Sequence, residues 1–242
     1  MNSLHRALAI LNFIAGQDNP VSPKEIAAHL SIPLSTVYRL LHILKTWEMI
    51  TYAQTYGTYT VGAHSLKTTD KYYRHSLPFR QLRPFMAKLS TNCKETVALL
   101  VGNLQETICV DIIETERTLR CSFEIGKSNT LLRGASGKTF LAFCAEEYRN
   151  TILHMPNIPL DTDSSQHLQQ ELAQIRQQGF ACSTGEIDEG VFGVSAPIFY
   201  RGELLAVLTI MAPAFRASAQ QSFLSAQVCK TAAQMSNWLN GE

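Results

Sequence analysis

Residues 20–44 read PVSPKEIAAHLSIPLSTVYRLLHIL, and this stretch contains two short helices and the turn between them. Ser22 can cap a helix, Pro23 suits its first position, and Glu25 closes a capping box with the serine. Ile26, Ala27 and Leu30 face inward. Ser31-Ile32 breaks this helix and Pro33 starts the next. There, Val37, Leu40, Leu41 and Leu44 form one apolar stripe, which needs a core beneath it. Ser35, Tyr38, Arg39, His42 and Lys45 fall on the other side. That face is short, polar and cationic. A helix offered to the major groove needs such a face, with small hydroxyls near its start and an arginine able to grip guanine or phosphate.

Upstream, Leu4, Ala7, Leu8, Leu11 and Ile14 recur at helical spacing, and the pattern stops at Gly16 and the turn residues Asp18-Asn19-Pro20. Downstream of Trp47 the period changes to two. Residues 49–53 and 58–61 flank Gln54-Thr55-Tyr56-Gly57, a hairpin with glycine at its turn. Three helices and a hairpin, in this order, predict a winged helix-turn-helix over residues 1–61. The alternative is a small helical bundle that uses these faces only for packing or dimer contact. On the winged-helix reading the DNA-contact candidates are Ser22, Lys24, Ser35, Thr36, Tyr38, Arg39, His42 and Lys45, with Thr55 on the wing.

Residues 62–77 continue as a linker helix on which Ala63, Leu66, Asp70 and Tyr73 recur at helical intervals. Leu77-Pro78 interrupts it and marks a domain boundary. Residues 78–242 form the second domain. It opens with a helix over 81–91 that turns Leu82, Phe85, Met86 and Leu89 inward. Strands are expected at 96–101, 107–113, 119–123, 191–200 and 203–212, and helices at 136–145, 147–154, 164–178 and 217–239. The class is α+β, a mostly antiparallel sheet with helices against its faces.

The chain has 242 residues, enough for two domains, with 45% hydrophobic and 17% charged residues. The net charge of +1 does not announce a nucleic-acid binder. Its distribution is more informative. From 62 to 94 lie Lys67, Lys71, Arg74, Arg80, Arg83, Lys88 and Lys94, opposed only by Asp70. The N-terminus lacks a basic leader and a cleavage site, and no apolar run reaches membrane-spanning length, so a cytoplasmic protein without membrane association is expected. Cys93, Cys109, Cys121, Cys144, Cys182 and Cys229 show no metal-knuckle or redox spacing, and no metal or cofactor is expected.

Gly137-Lys138-Thr139 resembles the end of a phosphate-binding loop, but the glycine required five residues before Gly137 is Leu132. Nucleotide hydrolysis is not supported. Residues 134–137 nevertheless open a helix, whose free N–H groups and positive dipole end suit a small carboxylate or polar ligand. Ser136 has no neighbouring histidine, and Glu186, Asp188 and Glu189 sit in a glycine-bounded loop expected to be solvated unless one acid faces a pocket. No constellation demands an enzyme. An enzyme built on a Ser136 pocket and a winged-helix module for protein contacts remain the alternatives.

Nearly the whole chain resembles the IclR family of bacterial regulators, through LHRALAILNFIA, the stretch 20–44, GTYTVG, KETVALLV, ASGKTFLAF, IRQQGFACSTGEIDEGVFGVSAPIF and AVLTIMAP, in this order and spacing. The resemblance implies a winged helix, a linker helix and a GAF-like effector domain, with dimers or tetramers on palindromic operators controlling metabolic operons as a repressor or activator. It implies an organic effector such as a carboxylic or hydroxylated acid, a catabolite or a sugar acid. Carried over by position, the effector site falls on Ala135, Ser136, Ser183, Gly193, Thr209 and Met211, with Leu131 and Phe123 as apolar candidates. Some members that bind small acids carry acidic and cysteine side chains at the positions of Ser183 and Gly193. A roomier, more neutral pocket suited to a hydroxylated ligand follows here. Glu48 stands where the family usually has glycine, so a different turn into the wing is expected. With no long arm before Leu4, one possible minor-groove contact is expected to be missing.

Overall fold

The computed structural model describes residues 2–75, 77–103, 106–154 and 162–241. The chain divides into two compact units, Met1–Leu77 and Pro78–Glu242. The first contains α1 (Ser3–Ala15), α2 (Pro23–Leu30), α3 (Leu34–Thr46), a hairpin of β1 (Ile50–Tyr52) and β2 (Tyr59–Val61), and α4 (His64–His75). Ser22 forms the expected box: its Oγ accepts the Glu25 N–H at 3.3 Å, and its own N–H donates to the Glu25 carboxylate at 2.7 Å. Ser31 ends α2 in the left-handed region, with φ 52°.

The core of this unit joins Ile10 and Ile14 of α1 and Ile26 of α2 to the α3 stripe Val37, Leu40, Leu41 and Leu44, and to Ile50 and Tyr59 of the wing. Of the residues expected to recur along α1, Leu4 and Leu8 are 66% and 56% exposed, whereas Ile10 is fully buried. The helix is apolar on two sides, and packing against α3 and β2 selects the side that carries Ile10 and Ile14. Leu66 on α4 is likewise exposed. The side chains of Asp70 and Tyr73, and Ser76 altogether, lie outside the described residues.

The helix after that point, α5 (Leu77–Cys93), is longer than the segment 81–91, with Pro84 inside it. The second unit then builds a six-stranded antiparallel sheet, ordered β5-β4-β3-β8-β7-β6. Its strands are β3 (Thr96–Gly102), β4 (Glu106–Ile113), β5 (Ser128–Thr130), β6 (Ala181–Thr184), β7 (Val191–Tyr200) and β8 (Glu203–Pro213). The remaining helices are α6 (Gly134–Phe143), α7 (Glu146–Leu153), α8 (Thr162–Gln178), α9 (Ala214–Ala217) and α10 (Gln221–Asn240). Alternation along β3 separates the two faces. Val97 and Leu99 pack with Leu82 and Met86 of α5 and with Leu224, Val228 and Met235 of α10. Ala98 and Leu100 point the other way, beside Cys109 and Met211. Leu141 of α6 and Leu172 and Ile175 of α8 form a separate cluster with Val207.

Three expectations are corrected. Residues 119–123 are not a strand; the place beside β4 is taken by β5, through the pairs Glu106↔Thr130 and Ile108↔Ser128. Residues 181–184 are a strand, β6, on the far edge of β7. The closing helix, expected over 217–239, starts at Gln221, because the chain turns at 218–220 after a separate short helix, α9.

Candidate functional site

On α3 the leucine stripe is buried and the opposite face is open. Ser35, Tyr38, Arg39, His42 and Lys45 are exposed and Thr36 is half-buried. Tyr38 is 52% exposed, which for a large aromatic leaves a ring face available to a partner. Arg39 extends across the surface, its Nη2 3.4 Å from Ser3 Oγ on α1. No side chain caps α3, whose N-cap residue is Pro33, so its first N–H groups can meet a phosphate oxygen.

The other predicted contacts frame this helix. Lys24 is exposed, and Ser22 is half-buried with its Oγ already accepting a hydrogen bond in the capping box. That box pulls the Glu25 carboxyl below its ordinary pKa, chiefly through the bond from the Ser22 backbone. Lys45 lies 3.8 Å from the centroid of the Tyr52 ring on the wing, and Tyr52 packs against Tyr59 at 5.0 Å. Burial, together with Tyr52, pushes the Tyr59 phenol up to about 12. Thr55 is exposed at the wing tip, next to a fully exposed Tyr56. Sequence reasoning passed over Tyr52 and Tyr56, which line a groove with Tyr38 and Pro23. Their signal was the recurrence of tyrosine at 38, 52, 56 and 59 around one hairpin.

The wing joins α3 through a tight turn. Met49 N–H donates to Leu44 O at 3.0 Å and Glu48 N–H to Lys45 O at 2.9 Å, the paired bonds of a Schellman motif. Glu48 takes the left-handed position, φ 54°, that a glycine ordinarily supplies.

In the second unit a cavity of about 340 Å³ opens beside the N-terminus of α6. Its walls include Phe123, Ala135, Ser136, Ser183, Gly193, Thr209 and Met211, seven of the eight residues expected at an effector site. Leu131 is placed elsewhere: it is fully buried in the α6–α8 cluster and does not line the cavity. Thr209 Oγ1, on the sheet floor, lies 2.8 Å from the Oγ of Ser195, which is fully buried and does not line the cavity.

The start of α6 is not left open, contrary to expectation. Gly134 N–H donates to Glu186 Oε2 at 2.9 Å, and Ala135 N–H donates to Ser183 Oγ at 3.0 Å. Buried N–H groups without acceptors are costly, and here Ser183 of β6 and Glu186 of the β6–β7 connection supply them. Lys138, buried behind this turn, bonds Glu171 at 2.7 Å and Glu186 at 2.9 Å. Burial works to lower the Lys138 pKa, but these two carboxylates outweigh it and raise the net value. Burial likewise pushes Glu186 up, and the Gly134 N–H and Lys138 more than reverse it, leaving that carboxyl lowered. Of the acidic cluster, Glu186 is therefore a structural cap, Asp188 lines the cavity and Glu189 is exposed. The Gly137-Lys138-Thr139 resemblance to a phosphate loop is accounted for by packing, since Thr139 Oγ1 donates to Ser195 O.

One wall was foreseen only at Phe123. Residues 114–123 run as an irregular strap, and Leu119, Arg120, Cys121, Ser122 and Phe123 face the cavity. Glu95, 3% exposed, accepts a two-pronged bond from Arg216, at 2.6 and 2.8 Å, and another from Arg117 at 3.0 Å. Arg216 Nη2 also donates to Leu119 O at 3.1 Å, and Thr96 Oγ1 donates to Cys121 O at 2.6 Å. No local pattern marks these residues, because Arg216 lies 121 positions from Glu95.

Comparisons with known proteins cover both units. The family described as IclR helix-turn-helix domain matches residues 3–53, and bacterial transcriptional regulator IclR C-terminal matches residues 73–237. The acetate operon repressor of Salmonella typhimurium is 28% identical over 97% of this chain and 89% of its own length. An IclR family transcriptional regulator from Brucella abortus superposes with a TM-score of 0.80 at 21% identity, over 98% of this chain and 92% of that one. An IclR homolog from Microbacterium hydrocarbonoxydans, solved with 4-hydroxybenzoate, gives 0.72 at 18% identity over 100% of both chains. At these identities the structural likenesses speak for the fold.

Proposed function

The chain belongs to the IclR family of bacterial transcription regulators, a family of DNA-binding regulators rather than enzymes, and from that premise we propose that it controls a metabolic operon in response to a small organic effector. The observation that carries the reading is the division of α3: four leucine-stripe residues sealed inward, and Ser35, Tyr38, Arg39 and His42 open outward. Laid in a major groove, Arg39 reaches a base edge or the backbone, and the hydroxyls of Ser35 and Thr36 reach phosphates. Ser22, Lys24 and Lys45 flank that contact, and Thr55 follows the wing. The cavity beside α6 is the effector site. Its volume falls within the range of small-ligand pockets, and its hydroxyls suit a carboxylic or hydroxylated acid. The Microbacterium homolog bound to 4-hydroxybenzoate supports a ligand of that size.

The protein acts in the cytoplasm as a homodimer or homotetramer on a palindromic operator, and the name of the Salmonella relative supports repression as its mode. No helix among the described residues is long and apolar enough to cross a membrane. Genomic DNA fragments selected on the purified protein, followed by footprinting, test the reading. A protected palindrome supports it. Selection of no fragment above background, or binding insensitive to salt, contradicts it, because phosphate contacts impose a steep salt dependence.

A further inference from the structure

The strap 114–123 differs in kind from the other walls of the cavity. The β7 and β8 walls are held by a ladder of backbone pairs, and the α6 wall by helical bonds. Between 117 and 122 the strap is tied to the rest of the unit by side chains: Arg117 to Glu95, Leu119 O to Arg216, and Cys121 O to Thr96. Arg120 and Ser122 both turn back to Glu114 within the strap itself. Two of these three ties pass through the Glu95–Arg216 pair. Segments held by few bonds open at lower free energy than the sheet they lie on.

We infer that Glu95 and Arg216, reinforced by Arg117, are positioning residues that latch the strap 117–123 as the movable wall of the cavity. The inference rests on the reading of that cavity as the effector site. Loss of the latch swings out Leu119, Cys121 and Phe123 together, leaving the sheet floor and the α6 wall in place. One feature of the charge balance makes the latch separable from the fold. Glu95 faces two arginines, so removing either one leaves its carboxylate still paired and avoids an isolated buried charge.

Cys121 reports the strap directly, because it lies on the cavity wall, while Cys93 and Cys144 are buried in clusters that do not include the strap. The experiment is alkylation of the full-length, reduced protein with iodoacetamide, followed residue by residue by peptide mass spectrometry. Arg216→Met is expected to speed labelling of Cys121 by about tenfold, the population change on losing a charge-assisted fork. Arg117→Met gives a smaller rise, and Arg216→Lys, which keeps the charge without the fork, falls between wild type and Arg216→Met. Labelling of Cys93 and Cys144 stays at the wild-type rate throughout. Electrostatics alone predicts the opposite at Cys121. Its thiol is pushed up mainly by burial and by Glu95, and Arg216 holds it down, so removing the arginine depletes the reactive thiolate. An unchanged Cys121 rate in both methionine variants, or a rise shared by Cys93 and Cys144, overturns the latch. The readout needs no ligand, so it stands or falls separately from the effector assignment.

Discussion

Gly62 packs against the main chain of Glu48 so closely that a Cβ on it would stand 2.2 Å from the Glu48 carbonyl oxygen. Gly62 N–H also donates to Met49 O at 2.8 Å, which fixes the end of β2 against the turn leaving α3. Gly62→Ala therefore forces the wing away from α3. A loss of about 1–3 kcal/mol is expected in denaturant unfolding of the first unit, together with weaker operator binding. Glu48→Gly acts in the other direction, by removing left-handed strain from a side-chain-bearing residue. A gain of about 0.5–1 kcal/mol is expected, reduced from the full strain by the greater freedom of glycine in the unfolded chain. A stable Gly62→Ala variant with wild-type DNA affinity would show that this contact does not set the wing.

The Glu186 cap makes stability depend on acid pH. Its carboxyl is lowered in the fold, since the Gly134 N–H and Lys138 outweigh the burial that raises it. Its contribution is therefore complete above the unfolded carboxylate range, near about 4.3, and lost as pH falls through the folded value. Glu186→Gln should lower Tm at pH 7 and converge on wild type as the pH falls through the folded value. Thermal melts across that window check it; a gap that stays constant down to the lowest pH contradicts the assignment.

Gly193 leaves open the space that gives the cavity its depth. A Cβ there meets Ser183 Oγ at 3.4 Å and Ala135 Cβ at 3.6 Å, ordinary contacts that the strand tolerates. Gly193→Leu should fold and fill the pocket. Screening by thermal shift against hydroxylated and carboxylate compounds, 4-hydroxybenzoate among them, tests this. A ligand that raises the Tm of wild type by mass action should leave the variant unmoved. An equal shift in both proteins would place the ligand elsewhere.

Much of the DNA-binding unit was legible because its signals are local. The box of Ser22 and Glu25, the 3.6-residue stripe of α3 and the hairpin glycine each act within a few positions. Leu4 and Leu8 misled for the same reason. A helix apolar on two sides declares its buried side only when α3 packs against it. In the second unit the predicted lining residues came from resemblance, and Leu131 shows the limit of that route, since its strand-end position turns it into the α6–α8 cluster. The 119–123 segment alternates like a strand yet is bound by Thr96 and Arg216 instead of a neighbouring backbone. The cap on α6 by Glu186 and the Glu95 latch join residues 52 and 121 positions apart, and no period in the sequence encodes such pairs.

The central claim is that the outward face of α3 lies in a DNA groove, and affinity of Arg39→Ala for a footprinted operator, measured by gel shift over a series of salt concentrations, tests it most directly. The account predicts a loss of about 1–3 kcal/mol for the variant and, for wild type, a linear fall of log affinity with log salt. Full operator affinity in Arg39→Ala and in Tyr38→Ala alike, with binding indifferent to salt, would contradict it.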